Sequence, residues 1–506
     1  MAAVAEAIIP AEAMLQPAEA ALARLLDTHD NFFSSDKDEK QRRLEAESEE
    51  VMEALARVGD IRDIRQRASV SYIRGRALDV FSDFNPEAEK CLAKAVKLNP
   101  AEPDGWDALG HCYWKKPDLL AARRCFHQAL DKGRKPESLR QLSMLLRQLP
   151  GTAEEASDHL QESLRLAKEA VALDVGSGTS WYVLGNAFVA SFFRNSRGVR
   201  DLDRALQAYK KAESNGGGGN PDLFFNRAHV FHYREDYPEA VRDYRLAREL
   251  DPSLPVDQAL HSVETGVEKL AKLVEKKGGL KAKRLSQLIA SLGGSSARKG
   301  LGESHRLVRL RDLMLGGNKG VAVALKVVIP AGQNSQPPER FVVVDGNGEF
   351  AVLSLYSISK EACERIRSKD TLLVKNPALR TICLGLRPAA RVANSCSVAG
   401  TAKNAVDAGR VVPSAGRSDN PITVVGDEST IPANDTAGLG NTGSIACASD
   451  REALATSCRD TLLGATPFLS PSYPGIQTDP TDMLLNGEAM KASFAAPDVR
   501  LANFDK

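Results

Sequence analysis

Two charged residues of this chain have the chemistry to hold a short ionic ligand. Arg147 carries a planar guanidinium that can grip a carboxylate with two parallel hydrogen bonds, and Asp222 can do the reverse for a guanidinium. His229 and His232 stand three residues apart, hence on one face of a helix, and could in principle ligate a metal. No nearby Cys or second carboxylate completes a ligand set, so a pair lining a binding surface is the better account, and no metal or cofactor is expected. Lys281, Lys283 and Arg284 form a short basic run that nothing acidic balances past Gly278, which suits a phosphate backbone. A solvated helix face is the plain alternative, since Glu264, Glu268 and Glu275 offset the lysines just upstream. No nucleotide loop, Ser/His/Asp set or paired carboxylate stands out, so the residues speak for binding and not for an enzyme.

Such residues need elements that hold them in register. Residues 106–129 read WDALGHCYWKKPDLLAARRCFHQA, in which Trp106, Leu109, Gly110 and Tyr113 precede Ala122, Phe126 and Ala129. This is the tetratricopeptide-repeat pattern: an apolar stripe on a first helix, and small residues where a second helix crosses it. Further halves follow in Ala88, Leu92 and Ala95; in Trp181, Leu184, Gly185 and Phe188; and in Ala240, Tyr244 and Ala247. The turn after Phe188 is lengthened by about eight residues before Ala205, Tyr209 and Ala212 resume the pattern. A degenerate repeat between them uses Leu139, Leu142, Ser143 and Leu146, then Ser163, Ala167 and Ala170. The count is about five repeats over residues 61–258, above the minimum of about three for a stable stack.

Counting Trp106 as the fourth position of its repeat, positions two, five, nine, twelve and thirteen of each first helix face a common groove. Arg147 then falls at twelve of the third repeat, and Tyr182 and Asn186 at five and nine of the fourth. In the fifth, Asp222 takes two, Phe225 five, His229 nine, and His232 and Tyr233 twelve and thirteen. A cation and an anion flanked by aromatics and an amide suit a short peptide of mixed charge. Register alone leaves a blander reading open, in which Arg147 and Asp222 are ordinary solvated charges. A clamp for an acidic C-terminal tail fits poorly, because Tyr182 and Asp107 occupy positions where such clamps place cations.

With 506 residues the chain exceeds one core, and a formal net charge of +1 gives it no nucleic-acid-sized field. The start, MAAVAEAIIPAEAML, has Glu6 and Glu12 and no basic leader, and no apolar run is long enough to span a membrane. Eight cysteines without a CxxC pair match cytosolic or nuclear usage. Residues 1–60 read as N-terminal capping helices with a flexible start, and 259–302 as a C-terminal capping helix and basic bridge. From 303 to 390 the period becomes strand-like, at 321–329, 341–345, 350–356, 371–375 and 380–386, with a hairpin turn at Asp345-Gly346-Asn347-Gly348. Five such strands suggest a small antiparallel barrel or sandwich. Only Phe341, Phe350 and Tyr356 are available as stacking aromatics, so it reads as a positioning domain. Residues 391–471 have the composition of a disordered insertion, 472–490 resume order, and 491–506 form a tail.

The order of repeats, basic bridge and β domain, with KAVKLNP (94–100), YWKK (113–116), SLRQLSMLLRQL (138–149), SWYVLGNAF (180–188), NPDLFFNRA (220–228) and KGGLKAKRL (277–285), resembles the tetratricopeptide repeat protein 5 family, the stress-responsive co-activators called Strap. The resemblance covers roughly 15–390 and 472–490. It implies an all-α repeat solenoid followed by an oligonucleotide/oligosaccharide-binding (OB) barrel, whose last part is 472–490. It further implies recognition of the Met-Arg-Glu start of nascent tubulin, at the ribosome and close to ribosomal RNA near the exit tunnel. Decay of tubulin messenger RNA would follow through an adaptor and a deadenylase complex. The alternative is a nuclear scaffold for histone acetyltransferase co-activators, so the implied locations are cytoplasm and nucleus. With the resemblance, Arg147 and Asp222 become the peptide's ionic partners, and Lys281 and Lys283, with Arg284, match docking positions. The family carries an acid where this chain has Val256; Asp257 stands one residue along. The 391–471 stretch has no counterpart in the family, and reads as a lineage-specific loop or as translated intron sequence.

Overall fold

The computed structural model describes residues 11–34, 36–59, 61–196, 199–292, 301, 304–332, 338–356, 358, 360–384, 473–478, 483–486 and 488–489. The insertion expected over 391–471 and the tail from 491 lie outside them.

Two helices, α1 (Ala11–Asn31) and α2 (Lys37–Ala56), precede the repeats. Their leucine stripe, including Leu22, Leu25, Leu44 and Leu55, is buried against Ile73 and Ala77. Those two residues lie on α3 (Ile64–Leu78), which pairs with α4 (Pro86–Leu98) as the first repeat. The others pair α5 (Pro103–Lys115) with α6 (Leu119–Lys132), and α7 (Pro136–Leu146) with α8 (Ala153–Leu173). Then come α9 (Gly178–Ser191) with α10 (Val199–Ser214), and α11 (Pro221–Tyr233) with α12 (Tyr237–Leu250).

Local chemistry explains the boundaries. Asp63, Asn85 and Asn220 cap the first amides of α3, α4 and α11, and proline opens α5, α7 and α11, where its missing N–H costs nothing. Thr152 and Glu155 close a reciprocal capping box on α8. The small crossing residues are needed: a Cβ on Gly110 would lie 2.7 Å from the fully buried ring of Phe126. The degenerate third repeat crosses differently. The Ser143 hydroxyl donates to the Ser163 carbonyl at 2.9 Å and the Ser163 hydroxyl to the Ser143 carbonyl at 2.8 Å, so both buried polar groups are satisfied.

α13 (Val256–Glu275) buries Val263, Val267 and Leu270, and α14 (Ala282–Ala290) follows a sharp bend. At that bend Gly278 has φ +63°, and a Cβ there would meet Val328 at 2.4 Å, so glycine is required twice over.

The β domain comprises β1 (Arg306–Val308), β2 (Gly316–Gly317), β3 (Val321–Pro330), β4 (Glu339–Val344), β5 (Phe350–Leu355), a short helix α15 (Lys360–Glu364), β6 (Thr371–Lys375), β7 (Ala378–Ile382), β8 (Tyr473–Thr478), β9 (Met483–Leu485) and β10 (Glu488–Ala489). The sheet order is β10-β9-β6-β3-β4-β5-β8-β7-β2, with β1 beside β3. It is not wholly antiparallel, as its short strands suggest: β1–β3 and β5–β8 are parallel, because neither pair is joined by a hairpin. Asp345 organises the β4–β5 turn, its carboxylate accepting from Asn347 and Glu349 amides at 2.8 and 3.0 Å. Alternation assigns the two faces. Phe341, Val343 and Leu353 fill one core, while Val342, Val344 and Val352 join the core of α9–α13. No helix among the described residues is long and apolar enough to cross a membrane.

Candidate functional site

The helical period sets positions two, five, nine and twelve of each first helix on one face. Arg147 is the C-terminal cap of α7 and is only 2% exposed. Beside it, the Trp114 indole donates to the Gln148 side chain at 2.8 Å. Tyr182 accepts from the Asn226 amide at 3.0 Å. Asn186 is buried, and its amide oxygen accepts from the Tyr209 hydroxyl at 2.6 Å and the Asn226 amide at 3.3 Å. Phe225 is likewise buried. Asn186 works from the interior, joining α9 to α10 and α11 rather than offering an open amide, and the Phe225 ring is enclosed against His229 and Tyr244.

His229 and His232 form an aromatic wall with Phe225, Tyr237 and Tyr244; the Phe225 and His229 ring centroids are 4.5 Å apart, and those of His229 and Tyr244 5.3 Å. Burial drives both imidazoles below their ordinary range, His232 to about 3, so neither is a cation near neutral pH. Among the described residues no group of three or more His, Cys, Asp or Glu could hold a metal.

Asp222, half-buried in the first turn of α11, has its carboxyl pushed above the usual range by burial and then by the charge of Asp251, against which Lys40 acts. Lys40 on α2 feels Asp251, Asp30 and Asp222 in turn. Lys40 on the N-terminal helix pair is thus within electrostatic reach of the last repeat, and the acid that acts on Asp222 is Asp251. Asp257 is exposed on α13 and pairs with Arg248 at 2.8 Å. Asp107, at position five of the second repeat, accepts a hydrogen bond from Ser138, and burial raises its carboxyl to about 7. Sequence reasoning missed Asp251, because an Asp-Pro pair reads as a helix end, and Lys40, because nothing local ties it to α11.

Lys281, Lys283 and Arg284 are exposed at the start of α14. Leu288 is buried on the same helix, with Leu285 and Ile289 packed on the core, so the apolar stripe turns the cations outward.

The β domain grips the turn between α11 and α12. Glu235 in that turn has φ +60°, a left-handed backbone that glycine usually supplies. Its buried carboxylate accepts from Arg340 at 2.7 Å, Ser354 at 3.0 Å, Tyr356 at 3.1 Å and Gln477 at 3.3 Å. Burial alone would raise its pKa, but the Arg340 charge and these donors hold it below the usual range. Arg380 donates to the Arg234 carbonyl at 2.8 Å and pairs with Asp236.

Residues 304–387 match the tetratricopeptide repeat protein 5 OB fold domain. The chain is 34% identical over 385 residues to tetratricopeptide repeat protein 5 of Homo sapiens, covering 72% of this chain and 87% of that one. The chain belongs to the tetratricopeptide repeat protein 5 family. Tetratricopeptide repeat protein 5 of Mus musculus is 33% identical over 388 residues, covering 73% of this chain and 87% of that protein. Among solved structures, a thermophilic repeat protein of Thermus thermophilus gives a TM-score of 0.33 at 18% identity, covering 39% of this chain and 98% of its own. A tetratricopeptide repeat protein 5 is thus a helical-repeat scaffold joined to an OB-fold domain, a protein-binding architecture.

Proposed function

We propose that this protein reads the Met-Arg-Glu start of nascent tubulin at the ribosome and thereby initiates decay of tubulin messenger RNA. Arg147 takes the peptide Glu, and Asp222, with Asp251 beside it, takes the peptide Arg. The aromatic wall of His229, His232 and Phe225 borders the Asp222 end, and the Tyr182–Asn226–Asn186 network spaces the two charges. Lys281, Lys283 and Arg284 face ribosomal RNA, and recruitment of an adaptor and deadenylase completes the response. No catalytic step is required of this chain.

One feature carries the reading: a half-buried acid in the first turn of α11 and a nearly buried arginine at the end of α7 stand at the positions the repeat register assigns to the groove, in a tetratricopeptide repeat protein 5 family member. Calorimetric titration with Met-Arg-Glu-Ile tests it. Truncating one partner of a desolvated charge pair costs about 2–5 kcal/mol, so Arg147→Ala and Asp222→Ala should each weaken binding at least about tenfold. Arg147→Lys should not restore it, because an ammonium cannot supply two parallel hydrogen bonds. Undiminished affinity in both alanine variants would remove the site, and no binding by the intact chain would remove the function.

A further inference from the structure

The lengthened turn between α9 and α10 has a defined form at its start: α9 continues into a π-helical turn, Phe192–Ser196. Such turns are rare in helices and recur at functional sites. Phe192 is buried, and both Phe192 and Phe193 meet the Tyr233 ring edge-on, at 5.5 and 5.1 Å between centroids. Tyr233 meets Tyr356 of the β domain at 5.4 Å, and Tyr356 is tied through its hydroxyl to Glu235. This aromatic column fixes the backbone of the next residue, Arg194. The Arg194 guanidinium donates to the Arg147 carbonyl at 2.7 Å, at the C-terminal end of α7, where carbonyls need donors and a cation is favoured.

Two arginines from different repeats therefore meet at the end of α7. A carboxylate reaching Arg147 leaves water, and one cation offsets that cost only in part. The Arg194 guanidinium, anchored on the Arg147 backbone carbonyl, adds charge and N–H donors at the same helix end. Resting on the peptide-binding reading above, we infer that Arg194 is a specificity-determining residue for the ligand's acidic side chain, held in place by the column Phe193–Tyr233–Tyr356.

The test titrates the full chain with Met-Arg-Glu-Ile and with Met-Arg-Gln-Ile. Arg194→Ala should weaken binding of the Glu peptide about tenfold or more, the size of one charge-assisted hydrogen bond, and leave the Gln peptide unaffected. Arg194→Lys should recover part of the preference. Phe193→Leu, which touches no peptide atom on this account, should reduce the same preference by loosening the turn. A purely structural helix cap would lower the thermal midpoint and leave the Glu-to-Gln ratio intact. Binding by the unmodified chain with an unchanged ratio in Arg194→Ala overturns this inference alone. No binding by the unmodified chain overturns the function and this inference with it.

Discussion

A carboxyl's burial decides when it can act as an anion. Asp222 holds a cationic side chain only when ionised, and its pKa is raised by burial and by Asp251. Affinity for Met-Arg-Glu-Ile should therefore begin to fall on acidification at a higher pH than an ordinary aspartate would dictate. Met-Gln-Glu-Ile, which lacks the cation, should not share that part of the pH profile in calorimetric titrations; parallel profiles would clear Asp222. Asp107 offers a stability test. Its folded pKa of about 7 exceeds the ordinary aspartate value of 3.8, so the folded state holds a proton that the unfolded state has released between those limits. The sign is a penalty on folding above pH 7, relieved as pH falls towards 4. Asp107→Asn keeps an acceptor for the Ser138 hydroxyl and removes the charge. It should raise the thermal midpoint most at pH 8, less at pH 5 and little at pH 4, and an equal shift throughout would show that burial is not the cause.

Among elements, the α11–α12 turn joins the two halves of the described fold. Glu235 accepts strained left-handed backbone geometry, at a cost of about 1–3 kcal/mol, and its carboxylate gathers Arg340, Ser354, Tyr356 and Gln477 from the β domain. Removing one partner of such a buried pair costs about 3–5 kcal/mol, because the other charge stays buried without it. Glu235→Gln should lower the thermal midpoint and speed hydrogen exchange in α11, α12, β4 and β5. The first two repeats should exchange as before, since repeats contact mainly their neighbours. Faster exchange throughout the array would mean that Glu235 supports the whole stack, and none at all would mean that the pair is dispensable.

At the scale of the molecule, the proposed function assigns peptide reading and ribosome docking to different parts of the chain. The groove face belongs to α3–α11, whereas Lys281, Lys283 and Arg284 stand out from α14, whose leucines are rooted in the core of the last two repeats and the sheet. Lys281→Glu with Lys283→Glu should release the protein from ribosomes in sedimentation, with a strong salt dependence in the unmodified chain, and leave affinity for free Met-Arg-Glu-Ile unchanged. An equal loss of both would show that one surface serves both purposes.

The repeats were legible because a helical hairpin writes its packing into a short period: Leu109, Gly110, Ala122 and Phe126 must recur at the spacing that brings two helices together. The same register assigns Arg147 and Asp222 to groove positions of their repeats, and alternation with the Asp345 turn announced β4 and β5. What lay beyond local pattern is every contact set by the rotation accumulated from repeat to repeat and by strand pairing across long separations. Nothing near Lys40 says that it meets the field of Asp222 and Asp251. No period marks Arg194, which reaches Arg147 from a turn outside the consensus, or distinguishes an open Asn186 from one enclosed by Tyr209 and Asn226. β8 lies parallel to β5 because it arrives from a remote segment, free of the hairpin geometry that makes near neighbours antiparallel. Helical period and turn chemistry are properties of a few consecutive residues, so the sequence alone determined the elements and the faces they present. Burial, ionisation and the grip of the β domain on Glu235 depend on atoms brought together from remote positions, and only the tertiary structure decided those.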